Sequence, residues 1–97
     1  MAVVSRIYEL VSLLDRYDPI ELIKGGAPLG EYMPEARTIL EHLQEMSSAD
    51  ETVALVHREF VSWFDAQIAG SLDNYREVGS AIWEWWVQQG RHGQSDA

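Results

Sequence analysis

Apolar residues recur at steps of three and four along most of the chain, which is the period of an α-helix rather than of a β-strand. These runs predict four helices, covering about residues 2–17, 34–46, 48–69 and 71–89. No run alternates strictly between apolar and polar positions, so the expected fold class is all-α. Because the joints after the second and third helices are short, we expect antiparallel neighbours in a compact four-helix bundle. Residues 1–90 are expected to form one helical domain and residues 91–97 a disordered tail.

The third and fourth predicted helices have clear start and stop signals. Ser48 and Glu51 match a capping box, and Gly70 is the type of residue that commonly follows a helix. The third helix is therefore expected to run unbroken, with a buried stripe of Val53, Val56, Phe60, Phe64 and Ile68. Ser71 is a good N-cap for the fourth helix, and Gly90 ends it. The stripe of the fourth helix is Leu72, Tyr75, Val78, Gly79, Ile82 and Trp86.

The segment 17–34, YDPIELIKGGAPLGEYMP, interrupts the helical pattern and holds all three prolines and three of the seven glycines. Loops longer than about a dozen residues are usually functional or disordered. The apolar content of this loop predicts that it is ordered and packed on the helices. The residues expected to shape it are Asp18, Pro19, Gly25 and Gly26. Asp18 should bond the backbone of the next turn, and the Tyr32 ring should pack on the first helix while its hydroxyl finds a partner.

Charge limits the classes of partner. The 97-residue chain has seven Lys and Arg against sixteen Asp and Glu, which gives a formal net charge of −9. Its single lysine, Lys24, lies in the loop, and no predicted helix has a basic face. Direct binding to nucleic-acid phosphates or to anionic membranes is therefore not expected. An acidic surface favours a basic protein partner, or serves solubility alone.

The absence of cysteine excludes disulfides, thiol nucleophiles and thiolate metal sites. It fits the reducing cytoplasm, which is the expected location. No apolar run approaches the roughly 18 residues that a membrane span needs. The N-terminal residues lack the basic start of a signal peptide.

His57 is the residue most open to a chemical role, because it falls near the middle of the apolar stripe of the third helix. It could be a catalytic base or a pH switch. The favoured alternative is a core histidine bonded to a carbonyl or to a residue of the 17–34 loop, since no second histidine lies at i+4 and no nucleophile is spaced to meet it. No spacing of His, Asp and Glu matches a metal site, and the paired carboxylates fall on solvated faces. We therefore expect no catalytic residues, no metal and no cofactor.

The run WEWW at 83–86 is more specific, because three tryptophans in four residues cannot all face one core. Trp83 and Trp85 are expected either to pack under the loop or to form an aromatic patch for a partner. Leu55 falls on the polar side of the third helix and could extend this patch. Glu31 and Tyr32 of the loop are further candidate contacts for a partner.

The motifs at 17–20 (YDPI) and 30–32 (GEY) resemble those of a small bacterial family of uncharacterised helical proteins. That family has an aromatic-Asp-Pro-Ile-Gly hinge after its first helix and an acidic-Glu-Tyr motif before its second. Here Tyr17 replaces the usual Trp, Glu21 stands at the Gly position, and Gly30 stands where an acid is common. The resemblance covers the first half of the chain and implies a compact helical fold with no established activity. Some similar small acidic proteins look like immunity proteins that block a toxin.

The leading hypothesis is a small acidic, non-enzymatic protein-binding module, which would act as an immunity-like or antitoxin-like inhibitor of a basic protein. One alternative is a homo-oligomeric structural domain with Trp83, Trp85 and Leu55 at a two-fold contact. Another is a small-ligand binder or enzyme with His57, Tyr32 and Asp18 in a pocket under the 17–34 loop. A further alternative is a protein that mimics a nucleic acid, which only the negative net charge of the chain would support.

Overall fold

Five α-helices are present in the computed structural model, which describes residues 2–91 and the side chains of residues 6–89. They are α1 (Ala2–Tyr17), α2 (Met33–Leu43), α3 (Ala49–Phe64), α4 (Ala66–Ala69) and α5 (Arg76–Trp86). A 3₁₀ turn, Leu72–Tyr75, precedes α5, and a π-helical turn, Val87–Arg91, follows it. No strand occurs within residues 2–91, so the predicted all-α class is confirmed. Apart from residue 91, the tail predicted to be disordered lies outside the described residues.

The first two helices begin and end close to their predicted bounds. α1 covers residues 2–17 as predicted, and Pro19 follows its end. α2 begins at Met33, has Pro34 in its first turn and ends at Leu43. Proline is tolerated there because the first N–H groups of a helix have no partner within the helix. No helix of the described chain is long and apolar enough to cross a membrane.

The prediction of an unbroken third helix is wrong. α3 ends at Phe64, and Asp65 has a φ of 124°, which interrupts the helix before the single turn of α4. The carboxylate of Asp65 accepts a 2.8 Å hydrogen bond from Ile68 N. This local bond offers the backbone an alternative to the continuing helix. As a result Ile68, expected in the buried stripe, is 55% exposed.

The cap at Ser48 is present in modified form, whereas Ser71, the other predicted N-cap, makes no capping hydrogen bond through its side chain. Ser48 Oγ accepts from Glu51 N at 3.1 Å, which is half of the predicted capping box. The Glu51 carboxylate accepts from Ser47 N at 2.7 Å, one residue earlier than in the standard motif. The predicted fourth helix starts with the 3₁₀ turn, and there Leu72 is exposed instead of buried.

The core lies on both sides of α3, which packs against α2 and α5, while α1 also packs against α2 and α5. α3 and α5 approach most closely at Gly79, where a Cβ atom would lie 2.6 Å from Val53 Cα. A row of ring contacts crosses the core. Phe60 lies 5.7 Å from Tyr32 and 5.3 Å from Tyr75, measured between ring centroids, and Tyr75 lies 5.3 Å from His57.

Candidate protein-binding surface

The loop between α1 and α2 is organised by the carboxylate of Asp18. Its Oδ1 accepts hydrogen bonds from the Tyr32 hydroxyl at 2.5 Å and from Ile23 N at 3.0 Å. Its Oδ2 accepts from Lys24 N at 2.8 Å. Asp18 itself has a φ of 50°, a region that aspartate enters more readily than most residues because it bonds nearby backbone groups. One side chain therefore holds the next turn of the loop and the residue just before α2.

Tyr32 is fully buried, so it does not lie on a surface that a partner could contact. Its hydroxyl oxygen also accepts a 3.4 Å hydrogen bond from Leu22 N. Burial, and then the bond to Asp18, raise the pKa of Tyr32 well above its usual value. Burial alone would raise the pKa of Asp18, but the hydrogen bonds from Tyr32 and from the backbone outweigh it and lower the pKa. The phenol thus stays a donor and the carboxylate stays an ionised acceptor.

The other residues predicted to shape the loop lie around this arrangement. Pro19 is half-buried directly after Asp18. Gly25 N donates to Glu21 O at 3.0 Å, and Gly26 N donates to Ile23 O at 3.0 Å. Gly26 has a φ of 108°, which only glycine adopts without strain. The glycine pair thus closes the turn that Asp18 holds at its other end.

The aromatic patch expected at Trp83, Trp85 and Leu55 is not an exposed cluster. Leu55 is only 2% exposed, so its placement on the polar side of α3 was wrong. The reason is that α3 is covered by α2 on one side and α5 on the other, which widens its buried face. Trp83 and Trp85 are half-buried against the core. Trp85 Nε1 donates to Glu9 Oε1 on α1 at 2.8 Å, so its bonded neighbour is a helix rather than the loop.

His57 and Tyr75 hold the backbone that follows the break in α3. His57 Nε2 lies 2.9 Å from Gly70 O, which accepts its hydrogen bond. The Tyr75 hydroxyl donates to Ala69 O at 2.6 Å, and burial raises the pKa of Tyr75 to about 12. The bond of His57 fits the alternative of a core histidine bonded to a carbonyl, and its partner does not belong to the 17–34 loop. Among the described residues, no hydrogen bond joins His57 to Asp18 or Tyr32, the other members of the predicted pocket.

Three exposed apolar residues that sequence reasoning missed lie at this break, while Tyr8, Tyr17 and Leu29 are exposed on α1 and in the loop. We call Trp63, Ile68 and Leu72 the corner surface; they are 47%, 55% and 36% exposed and lie on α3, on α4 and in the 3₁₀ turn. The indole N–H of Trp63 donates to Thr38 Oγ1 on α2 at 3.2 Å, which fixes the ring. One signal in the sequence could have indicated the break between α3 and α4. Aspartate is a favoured N-cap residue, and Asp65 lies in the middle of the predicted third helix.

Two exposed acidic residues are close in sequence to the residues of the corner surface. Asp65 and Asp73 are both exposed, and Asp73 accepts a 2.8 Å hydrogen bond from Arg76 Nε. Glu31, another candidate contact, is exposed in the loop before α2. Within the part of the chain that the structure describes, no group of three His, Asp or Glu residues could hold a metal ion.

Two further features lie away from the corner surface. Glu35 on α2 is only 3% exposed, and its Oε1 has no hydrogen-bond partner. Burial raises the pKa of Glu35, and the charge of Glu31 adds to the effect. A cavity of about 170 Å³ is lined by Arg6, Leu40, Gln44 and Trp86. None of its lining residues belongs to the 17–34 loop, under which a pocket had been expected.

The break after α3 thus leaves three large apolar side chains exposed, with the exposed Asp65 and Asp73 close to them in the sequence. The resemblance of the YDPI and GEY motifs to a bacterial family stays a prediction. Comparison of the chain with protein-family models, with curated proteins and with solved structures found no match.

Proposed function

We propose that the chain is a non-enzymatic protein-binding module that contacts a basic protein partner through the corner surface. The observation that carries this proposal is the exposure of three large apolar side chains, Trp63, Ile68 and Leu72, within ten consecutive residues. Exposed apolar patches commonly mark interaction sites, and tryptophan is enriched among the residues that dominate binding energy.

The charge of the chain supports a basic partner. The net charge is −9, and the exposed Asp65 and Asp73 are close in sequence to the corner residues, although Asp73 is paired with Arg76. Complementary charge steers two proteins together, so association should slow when salt is added. The same charge opposes the meeting of two copies of this chain, which makes the homo-oligomer the weaker alternative. Leu55 is buried and so cannot contribute to the two-fold contact first expected.

The surface is held in place before a partner arrives. Trp63 is bonded to Thr38, and the carbonyls of Ala69 and Gly70 are held by Tyr75 and His57. A binding surface that is already ordered loses less conformational entropy on association. In this proposal α1, α2, α3 and α5 act as a four-helix bundle, with the 17–34 loop as an ordered crossover, and their role is to support the corner.

An inhibitor of a basic cytoplasmic protein is the specific form that we propose. The acidic composition supports it, as does the resemblance of the YDPI and GEY motifs to small acidic proteins that look like immunity proteins. The absence of cysteine fits a reducing compartment.

The test is an affinity capture from host lysate with three versions of the tagged chain. The wild type is compared with an Ile68→Ser, Leu72→Ser variant, which removes apolar contact area but keeps the bond of Trp63 to Thr38. The control is Leu29→Ser, which removes an exposed leucine in the loop. We expect a basic protein that is bound by the wild type and the control, is lost with the corner variant and is released by salt.

Two results would overturn the proposal. One is a stoichiometric partner that the corner variant binds as well as the wild type does. The other is recovery of the chain alone, together with a dimer of the wild type in sedimentation that the corner variant does not form. That second outcome would assign the surface to self-association.

A further inference from the structure

A cavity on the side of α1 and α2 combines a positive charge with apolar walls. Arg6 comes from α1, Leu40 from α2, Gln44 from the residue after α2, and Trp86 from the end of α5. Three separate parts of the fold thus converge on about 170 Å³ of space that is open to solvent. None of these four residues belongs to the corner surface.

The guanidinium group of Arg6 lies over the ring of Trp86, with 5.6 Å from its central carbon to the ring centroid. Trp86 is only 5% exposed, so its indole is a fixed platform. Stacking on an aromatic face orients the plane of an arginine while leaving its N–H groups free to donate. Among the described residues, the contact that positions the Arg6 guanidinium is therefore this cation–π contact with Trp86.

Arg6 forms no ion pair with the Asp and Glu residues that the structure describes. A guanidinium has five N–H donors in a planar fork that matches a carboxylate. Those donors remain available for a ligand that enters the cavity.

The other residues that line the cavity indicate the chemistry of the part of the ligand that does not contact Arg6. Leu40 and the small exposed part of Trp86 offer apolar surface, and the amide of Gln44 can donate or accept one more hydrogen bond. An enclosed apolar cavity of about 150 Å³ holds one benzene molecule, so this space fits a body of about one ring. A chain with a net charge of −9 disfavours a phosphate dianion more than a singly charged carboxylate.

We propose that this cavity binds a small organic carboxylate with a compact apolar body. The carboxylate pairs with the Arg6 guanidinium, Gln44 supplies a further hydrogen bond, and the apolar part lies against Leu40 and Trp86. The proposal does not rest on the protein-binding function, because it uses different residues on a different part of the fold.

Titration with benzoate, followed by the indole N–H signal of Trp86 in NMR spectra, tests the site. We expect a saturable shift, and a benzamide affinity at least about tenfold lower, because benzamide keeps the ring and lacks the charge. Arg6→Gln should lower benzoate affinity by at least about tenfold. Arg58→Gln is the matched control, because it removes the same charge from an exposed position on α3 and should leave the affinity unchanged.

Three results would overturn the proposal: benzoate that gives no saturable shift, benzamide that binds as tightly as benzoate, or Arg6→Gln that binds like the wild type. If Arg6→Gln does not fold, Arg6→Lys replaces it. Lysine keeps the charge and loses the planar fork, so a folded Arg6→Lys chain should bind benzoate more weakly than the wild type does. An unchanged affinity of that variant would reject the arginine-carboxylate pairing.

Discussion

The hydroxyl of Tyr32 donates a 2.5 Å hydrogen bond to the carboxylate of Asp18, fourteen residues earlier in the chain. The pair joins the end of α1 to the start of α2, and the carboxylate also holds two backbone N–H groups of the turn between them. The loop is therefore fixed at its two ends by one buried phenol and one ionised acid.

Replacing Tyr32 by phenylalanine keeps the buried ring and removes this bond. We expect the free energy of unfolding to fall by about 1–2 kcal/mol, because a donor to a charged acceptor is lost. Urea denaturation measures the change. Tyr8→Phe, at an exposed tyrosine of α1, should have no effect. Equal stabilities of the wild type and Tyr32→Phe would mean that the hydroxyl contributes nothing to holding the loop.

Replacing Asp18 by asparagine should reduce the dependence of stability on pH in acid. Because the pKa of Asp18 is lowered in the folded chain, its contribution is present above its unfolded value of 3.8. That contribution is lost as the pH falls through the lower, folded value. The difference in denaturation midpoint between the wild type and Asp18→Asn should therefore shrink on acidification. Asparagine also tolerates a positive φ, so the substitution tests the charge. If the two denaturation midpoints differed by the same amount at all pH values, the charge of Asp18 would not contribute to stability.

Replacing Glu35 by glutamine should stabilise the fold near neutral pH. Burial raises the pKa of Glu35 above 4.5, so the folded chain binds this proton more tightly than the unfolded chain does. Protonated Glu35 therefore stabilises the folded chain at low pH. This contribution to the free energy of unfolding is lost as the pH rises from about 4.5. Denaturation midpoints should show an advantage of Glu35→Gln that grows from acid to neutral pH. Glu41→Gln, at an exposed position of α2, is the control.

The strain at Asp65 can be measured with two substitutions. Glycine and alanine both remove the carboxylate that caps α4, but only glycine adopts a φ of 124° without strain. We expect Asp65→Gly to be more stable than Asp65→Ala by about 1 kcal/mol, since relief of strain exceeds the entropy cost of glycine. Thermal denaturation of the two variants gives the difference. Alanine as the more stable variant would show that this backbone angle is not retained.

Replacing Gly79 by alanine should destabilise the contact between α3 and α5. The added methyl group would lie 2.6 Å from Val53 Cα, a backbone atom that cannot rotate away. We expect a loss of about 2–3 kcal/mol, as for an overpacked core, although alanine favours helices. Ser80→Ala, at the next position of α5, should be close to neutral. If Gly79→Ala were as stable as the wild type, the two helices would have to be able to move apart without cost.

Local rules explain what the sequence predicted well. The α1 helix is bounded by Asp18 and Pro19, and its apolar period is regular, so its ends could be placed to the residue. The carboxylate of Asp18 was expected to bond the backbone of the next turn, and it does, while the hydroxyl of Tyr32 was expected to find a partner that the sequence did not specify. The sequence could not say that they would bond each other, because that depends on how the loop folds back.

Tertiary packing explains what the sequence missed. Leu55 was placed on the polar side of a helix that was assumed to be covered along one stripe, whereas α2 and α5 cover two sides of α3. Ile68 was counted as buried because its spacing from Phe64 is helical, and the backbone at Asp65 breaks that spacing. The cavity at Arg6 and Trp86 joins residues from opposite ends of the chain, which no local pattern brings together.

The φ of Asp65 has a consequence for how binding could be lost. If α3 continued through this residue, Ile68 would follow Phe60 and Phe64 on the inward face of the helix. Ile68 would then be buried, and the corner surface would lose one of its three exposed side chains. A substitution at residue 65 or in the bonds that brace the turn could therefore abolish recognition while every contact residue keeps its identity. Under the proposed function, variants with altered partner choice need not differ at the corner surface itself, because the backbone angle at residue 65 determines whether Ile68 is exposed.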